Sequence, residues 1–274
     1  MKTTLTTFGL GMIIFAVIAG SAFAQQEYRP GYTDTPFIPG SSWRVHDRDR
    51  PQPPIVAPGR GDLGVTPPAD AIILFDGNNF DQWVRSDGTA PSNDVIQDGA
   101  FCVSKTGNIR TREEFGDLQL HIEWRTPAVE EGADPMRQGN SGVFLMGEFE
   151  IQILESNETW IYADGNAGAI YGQFPPLVNP ARKPLEWQSF QIFFTAPRFE
   201  GEATGKALKA PAYVTVLFNG VLVQHHQEIL GSSRHRDVPG PYQVGRERGA
   251  ISLQFHGAPV EFRNIWIRPL PERP

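Results

Sequence analysis

The chain has 274 residues, a formal net charge of −7, a pI of about 5.4 and one cysteine. The acidic balance argues against nucleic acid as a partner, because phosphate binding needs clustered Lys and Arg. A lone cysteine closes no intrachain disulfide, so a hydrophobic core must hold the fold.

Residues 1–24 open with Lys2, pass through an apolar run from Phe8 to Ile18 and end in Ala22-Phe23-Ala24. This is the layout of a signal peptide cleaved after Ala24, and it predicts a periplasmic or secreted protein. The run is short for a bilayer span, and no later segment approaches the roughly 20 apolar residues a membrane helix needs. No Cys follows the expected cut, which argues against a lipid anchor there. Residues 25–70 are dense in Pro, Gly and charge without a period, as expected of an extended arm or linker. Phe37, Trp43 and Val56 are its candidate anchors.

From residue 71 to 274 the texture changes to short runs of Val, Ile, Phe and Trp closed by Gly, Asn, Asp or Pro. These predict strands over 71–75, 100–104, 117–126, 141–146, 149–154, 187–195, 212–218, 221–228, 249–256 and 260–270. Asn219-Gly220 is a two-residue hairpin signal, since a type I′ turn takes positive φ at both centres. Many antiparallel strands with almost no helical period give an all-β domain, a β-sandwich or barrel.

Period two then sorts each strand into faces. Leu118, Leu120, Ile122 and Trp124 oppose Gln119, His121, Glu123 and Arg125. Phe149, Ile151 and Ile153 oppose Glu148, Glu150 and Gln152, and Ile251, Leu253 and Phe255 oppose Ser252, Gln254 and His256. Three strands therefore carry one face of His, Gln, Glu and Arg, which is either a solvated surface or the lining of a site that binds hydroxyls and moves protons.

Local signals leave alternatives open. Asn140-Ser141-Gly142 is a turn with a positive-φ glycine or an amide gripping a ligand hydroxyl. Trp160 and Tyr162 are loop anchors or a stacking platform, and Tyr171 is a core hydroxyl or a ligand contact. His225-His226 with His235 and Asp237 match no compact zinc spacing, because adjacent strand residues point to opposite faces. Glu123, Glu150 and Glu155 form a carboxylate set compatible with Ca2+ or another hard divalent cation.

EIQILE (150–155) resembles the E-x-D-x-x-E signature of retaining glucanases with a concanavalin-like jelly roll. Gln152 replaces the middle acid, and Glu155 rejoins the Glu150 face only through a bulge. A wider resemblance runs through LFDGNNFDQW (74–83), GNSGVFL (139–145), FEIQILE (149–155), GAIYG (168–172), EWQSF (186–190), LFNG (217–220) and LQFHGAPVEFRNIWIRPL (253–270). In this order these segments are similar to the bacterial 3-keto-disaccharide hydrolase family. The resemblance implies a concanavalin A-like β-sandwich (jelly roll) of two antiparallel sheets, export, and action on an oxidised (3-keto) disaccharide or glycoside. Two departures stand out: Glu155 where the family commonly has Asp, and a long loop AVEEGADPMRQGNSG (128–142).

A ketone at C3 acidifies the proton on C2, so its removal expels the group at C1, and hydration of the enone completes a net hydrolysis. For that chemistry the candidate catalytic residues are His256 as base or proton shuttle, Glu150 as the rival base and Glu155 as the acid, and the candidate substrate contacts are Glu123, Arg125, Asn140, Gln152, Tyr171, Gln254 and Trp160. Arg125 or a metal ion would hold the enolate oxygen. The alternatives are a non-catalytic carbohydrate-binding module on the same fold and a conventional retaining glycoside hydrolase.

Overall fold

The computed structural model describes residues 30–59, 61–91, 94–103, 107–202 and 205–271. The leader predicted for residues 1–24 lies outside them. The described residues form strands β1 (Ile72–Phe75), β2 (Trp83–Arg85), β3 (Ile96–Gln97), β4 (Ala100–Cys102), β5 (Ile109–Thr111), β6 (Leu118–Arg125), β7 (Ser141–Leu145) and β8 (Phe149–Ile153). They continue with β9 (Gln188–Thr195), β10 (Arg198–Glu200), β11 (Ala207–Ala210), β12 (Tyr213–Phe218), β13 (Val221–Glu228), β14 (Ser252–Leu253) and β15 (Glu261–Pro269). All pairings between them are antiparallel. One sheet runs β13-β12-β9-β6-β15-β4-β3, with β1 also on β15; the second runs β2-β5-β14-β7-β8, and β10-β11 form a separate ribbon.

The two larger sheets bury their apolar faces against each other. Trp124 packs on Phe190 and Phe218 at centroid distances of 5.2 and 5.6 Å, and Phe149 from the second sheet meets Phe194 of the first at 6.0 Å. The parity read from sequence therefore holds: Leu118, Leu120, Ile122, Trp124, Phe149, Ile151, Ile153, Ile251 and Leu253 are all core. At the Asn219-Gly220 hairpin both residues have positive φ, 51° and 78°. Asn219 also ties the turn down, its Oδ1 accepting from Ser189 N and its Nδ2 donating to Pro180 O. Cys102 is half-buried, and burial pushes its thiol up to about 11, as suits an inert packing residue.

The arm adds no strand among the described residues; the isolated bridges Tyr32 to Asp47 and Phe37 to Arg44 fold it on itself, and Ile55 to Asn179 ties it to the domain. Its buried anchors are Thr35, Ile38, Val45 and His46, whereas Phe37 is exposed beneath Arg44. Residues 61–65 run over the outer face of the larger sheet, where Gly64 N donates to Glu123 Oε1 at 2.6 Å and Asn264 Nδ2 to Val65 O at 3.1 Å. Asn264 does this from a bulge in β15, at φ 45°, a conformation that Asn tolerates better than most residues.

Candidate active site

The polar face of the second sheet opens into a cavity of about 480 Å3. Three neighbouring strands and loops build it. β8 supplies Glu150 and Gln152, β7 supplies Phe144 with Asn140 just before it, and the segment after β14 supplies Gln254 and His256. β8 is the last strand of its sheet, and its free edge is covered by the loop 168–171: Gln152 N donates to Ala169 O and Tyr171 N to Glu150 O. That pairing places Tyr171 beside Glu150. The loop 232–240 closes the other side with Ser233, Arg234 and His235, and Ser233 Oγ accepts from Glu150 N. The long loop after β6 forms the remaining wall. A short 3-10 turn (Pro135–Arg137) is capped by Asp134, held by Asn140 Nδ2 on Met136 O at 2.6 Å, and presents Met136 and Arg137 to the cavity.

Glu150 lies at the floor. It is 6% exposed, and burial pushes its carboxyl up to about 8. With the Gln152 amide nitrogen facing its acceptors, it donates to Glu150 Oε1 and to Ser141 O, each at 3.1 Å. Gly142 makes room for this carboxyl: a Cβ there would lie inside van der Waals contact with Glu150 Oε1. Its φ is not positive, so the glycine of the NSG stretch is needed for space, and the left-handed position of that loop is Gly139, at φ 61°. Tyr171 donates or accepts with Tyr162 Oη and His235 Nδ1, both at 2.9 Å. The His235 imidazole is lowered, first by partial burial and then by His46, Arg236 and His256.

Of the residues predicted for the site, Glu150, Gln152, Asn140, Tyr171, Gln254 and His256 share this cavity. Four do not. Glu123 and Arg125 stand on the outer face of the other sheet, because strands of a sandwich turn their non-core faces to opposite sides of the molecule. Glu123 is fully buried under the arm and bound by Arg263 Nε at 2.7 Å and Asn264 Nδ2 at 2.9 Å. Burial opposes its charge, but hydrogen bonds from His121, Asn264, Gly64 and Arg263 outweigh that and hold it at about 2. Arg125 pairs with Glu261 and lies over Trp187.

Glu155 is past the end of β8, and no bulge returns it to the Glu150 face. Its carboxylate caps its own loop, accepting from Asn157 N at 2.7 Å and Glu158 N at 3.0 Å. Trp160 is 51% exposed on a separate cavity across the Pro135–Arg137 turn, while Tyr162 is the buried anchor of that loop. The carboxylate set Glu123, Glu150 and Glu155 is thus dispersed and does not form one cation site. Among the described residues, no three His, Cys, Asp or Glu side chains cluster with metal-ligand geometry. The sequence reading missed Arg137, Arg234, His235 and Tyr32, all from loops without a period, and only the unassigned His235 carried a signal.

The family model of the 3-keto-alpha-glucoside-1,2-lyase-like domain matches residues 70–268. The chain belongs to this family. This lyase-like domain is also similar to solved structures from Parabacteroides distasonis. One, a candidate glycosyl hydrolase, is 40% identical with a TM-score of 0.69, the match covering 84% of this chain and 99% of that one. Two more candidate glycosyl hydrolases from the same organism share 19% and 23% identity, with TM-scores of 0.54 and 0.52. They cover 74% and 73% of this chain and 94% and 99% of theirs, and show the fold alone. No curated protein matches the chain. Membership makes the lyase-like domain carbohydrate-acting, and no helix among the described residues is long and apolar enough to cross a membrane.

Proposed function

We propose that the protein cleaves the glycosidic bond of 3-keto-glycosides by elimination, with hydration of the product enone giving net hydrolysis. The observation that carries this reading is a cavity with one buried carboxyl, Glu150 at about 8, facing imidazoles and guanidinium groups. Direct displacement by a retaining glycosidase uses two carboxyls about 5–5.5 Å apart, and Glu155 is committed to its loop. A single carboxyl of raised basicity suits removal of a carbon-bound proton.

Glu150 takes the proton from C2. The C2–H electron pair forms the C1–C2 double bond as the C1–O bond breaks, through an enolate at C3. His256 gives a proton to the leaving oxygen, releasing an alcohol and an enone. Arg234 and Arg137 at the rim supply positive charge for the enolate oxygen, and Asn140, Gln152 and Gln254 offer amides to the sugar hydroxyls. Water adding its oxygen to C1 and its proton to C2 yields the 3-keto sugar. Export through the leader at residues 1–24 fits action on extracytoplasmic glycosides.

The test mixes purified protein with a 3-keto-glucoside or its unoxidised parent and follows aglycone release and enone absorbance. Turnover of the 3-keto-glucoside alone is expected. Turnover of the parent alone would support a conventional glycosidase, and sugar binding without turnover a binding module.

A further inference from the structure

The arm brings a buried histidine under the cavity. His46 and Asp164 are both fully buried; His46 N donates to Asp164 Oδ2 at 3.0 Å, and its Nδ1 lies 3.1 Å from Asp164 Oδ1. With Nδ1 the donor to that carboxylate, Nε2 is left buried and without a hydrogen-bond partner among the described residues. The ring stacks on Tyr162 at 3.9 Å and meets Tyr171 at 4.9 Å, His235 at 5.3 Å and Tyr32 at 6.2 Å. Tyr32, Tyr171 and His235 line the cavity, and the hydroxyl chain from Tyr162 through Tyr171 ends on His235 Nδ1.

Docking of the arm does not explain this arrangement. The backbone N–H of His46 already bonds Asp164, and the residue sits at φ 55°, where Asn or Gly would be easier than His. A buried orphan nitrogen is also a cost that a pure anchor would avoid. We propose that His46, delivered by the arm and held by Asp164, is a positioning residue that fixes the Tyr171–His235 pair on the cavity wall. The arm, which lies outside the family-matched residues 70–268, would then be part of the site. The inference rests on the proposed elimination only for its kinetic readout.

His46→Asn tests it, since Asn accepts the left-handed φ and keeps a donor for Asp164 while removing the ring and its nitrogen. Imidazole-nitrogen NMR follows His235, whose charged and titratable neighbours are His46, Arg236, His256 and, through Tyr171, Glu150. Loss of His46, one of the groups that lower it, should raise the His235 midpoint. On a 3-keto-glucoside, kcat should fall about tenfold with KM within about twofold, and the pH profile should move with His235. A folded His46→Asn protein with an unchanged His235 titration overturns the proposal. Asp164→Asn, which frees the His46 ring, must also move the His235 resonances and serves where the first variant does not fold. If the native protein is inactive on 3-keto-glycosides, the proposed function fails and the NMR comparison still decides this point.

Discussion

In its proposed role as the base, Glu150 trades stability for chemistry. Its folded value of about 8 lies above the ordinary 4.5, so between those values the folded state holds the proton more tightly than the unfolded chain. Its contribution is therefore fully present below about 4.5 and is lost as pH rises through 8. Glu150→Gln should raise stability at pH 8 by on the order of 3 kcal/mol, read as a higher Tm, while cutting kcat about 10²–10⁴-fold. A variant that is both destabilised and active would refute this role. For the native enzyme the rate should climb with pH as Glu150 ionises. By contrast Glu155→Gln keeps an acceptor for Asn157 N and Glu158 N, so activity within about tenfold of native is expected in the same assay. Glu155 was legible in sequence as an acid near the strand end; its use as a loop cap was not, because the partners are backbone N–H groups.

At the scale of elements, the alternation of β6, β8 and β14 revealed which residues enter the core but not where the opposite faces point. Period two is a property of one strand, whereas the side of the sandwich depends on which sheet the strand joins. Glu123 and Glu150 therefore looked alike in sequence and lie on opposite sides of the molecule. Glu123→Ala should cost about 3 kcal/mol by stranding Arg263 and Asn264 and loosening residues 61–65, while leaving kcat at the cavity unchanged. The native contribution of Glu123 is present above about 4.5 and lost as pH falls toward its folded value of about 2, so the penalty of this variant should shrink in acid. On β7, Gly142→Ala should displace the Glu150 carboxyl and lower kcat about 10²-fold with little loss of fold. Strands β2, β3, β5, β10 and β11 escaped the sequence reading because two to four residues carry too little period.

For the whole molecule, the fold was legible because strand spacing, the Asn219-Gly220 turn and the ordered family segments all agree. The site was legible where strand parity or a local motif reached it, at Glu150 and Gln152 on β8 and at Asn140, Tyr171, Gln254 and His256 just beside the strands, whereas Arg137, Arg234, His235 and Tyr32 come from loops and from the arm. Long-range placement of such segments leaves no periodic trace. The arm clamps both faces, Gly64 on Glu123 at the outer sheet and His46 on Asp164 below the cavity, so it belongs to the folded unit. The most direct measurement of the mechanism compares a 3-keto-glucoside carrying hydrogen or deuterium at C2 under single-turnover conditions. Slower aglycone release from the deuterated substrate is predicted, because the C2 bond breaks on the way to the enone. Equal rates, with substitution at C1 and no loss of C2 deuterium to solvent, would contradict elimination.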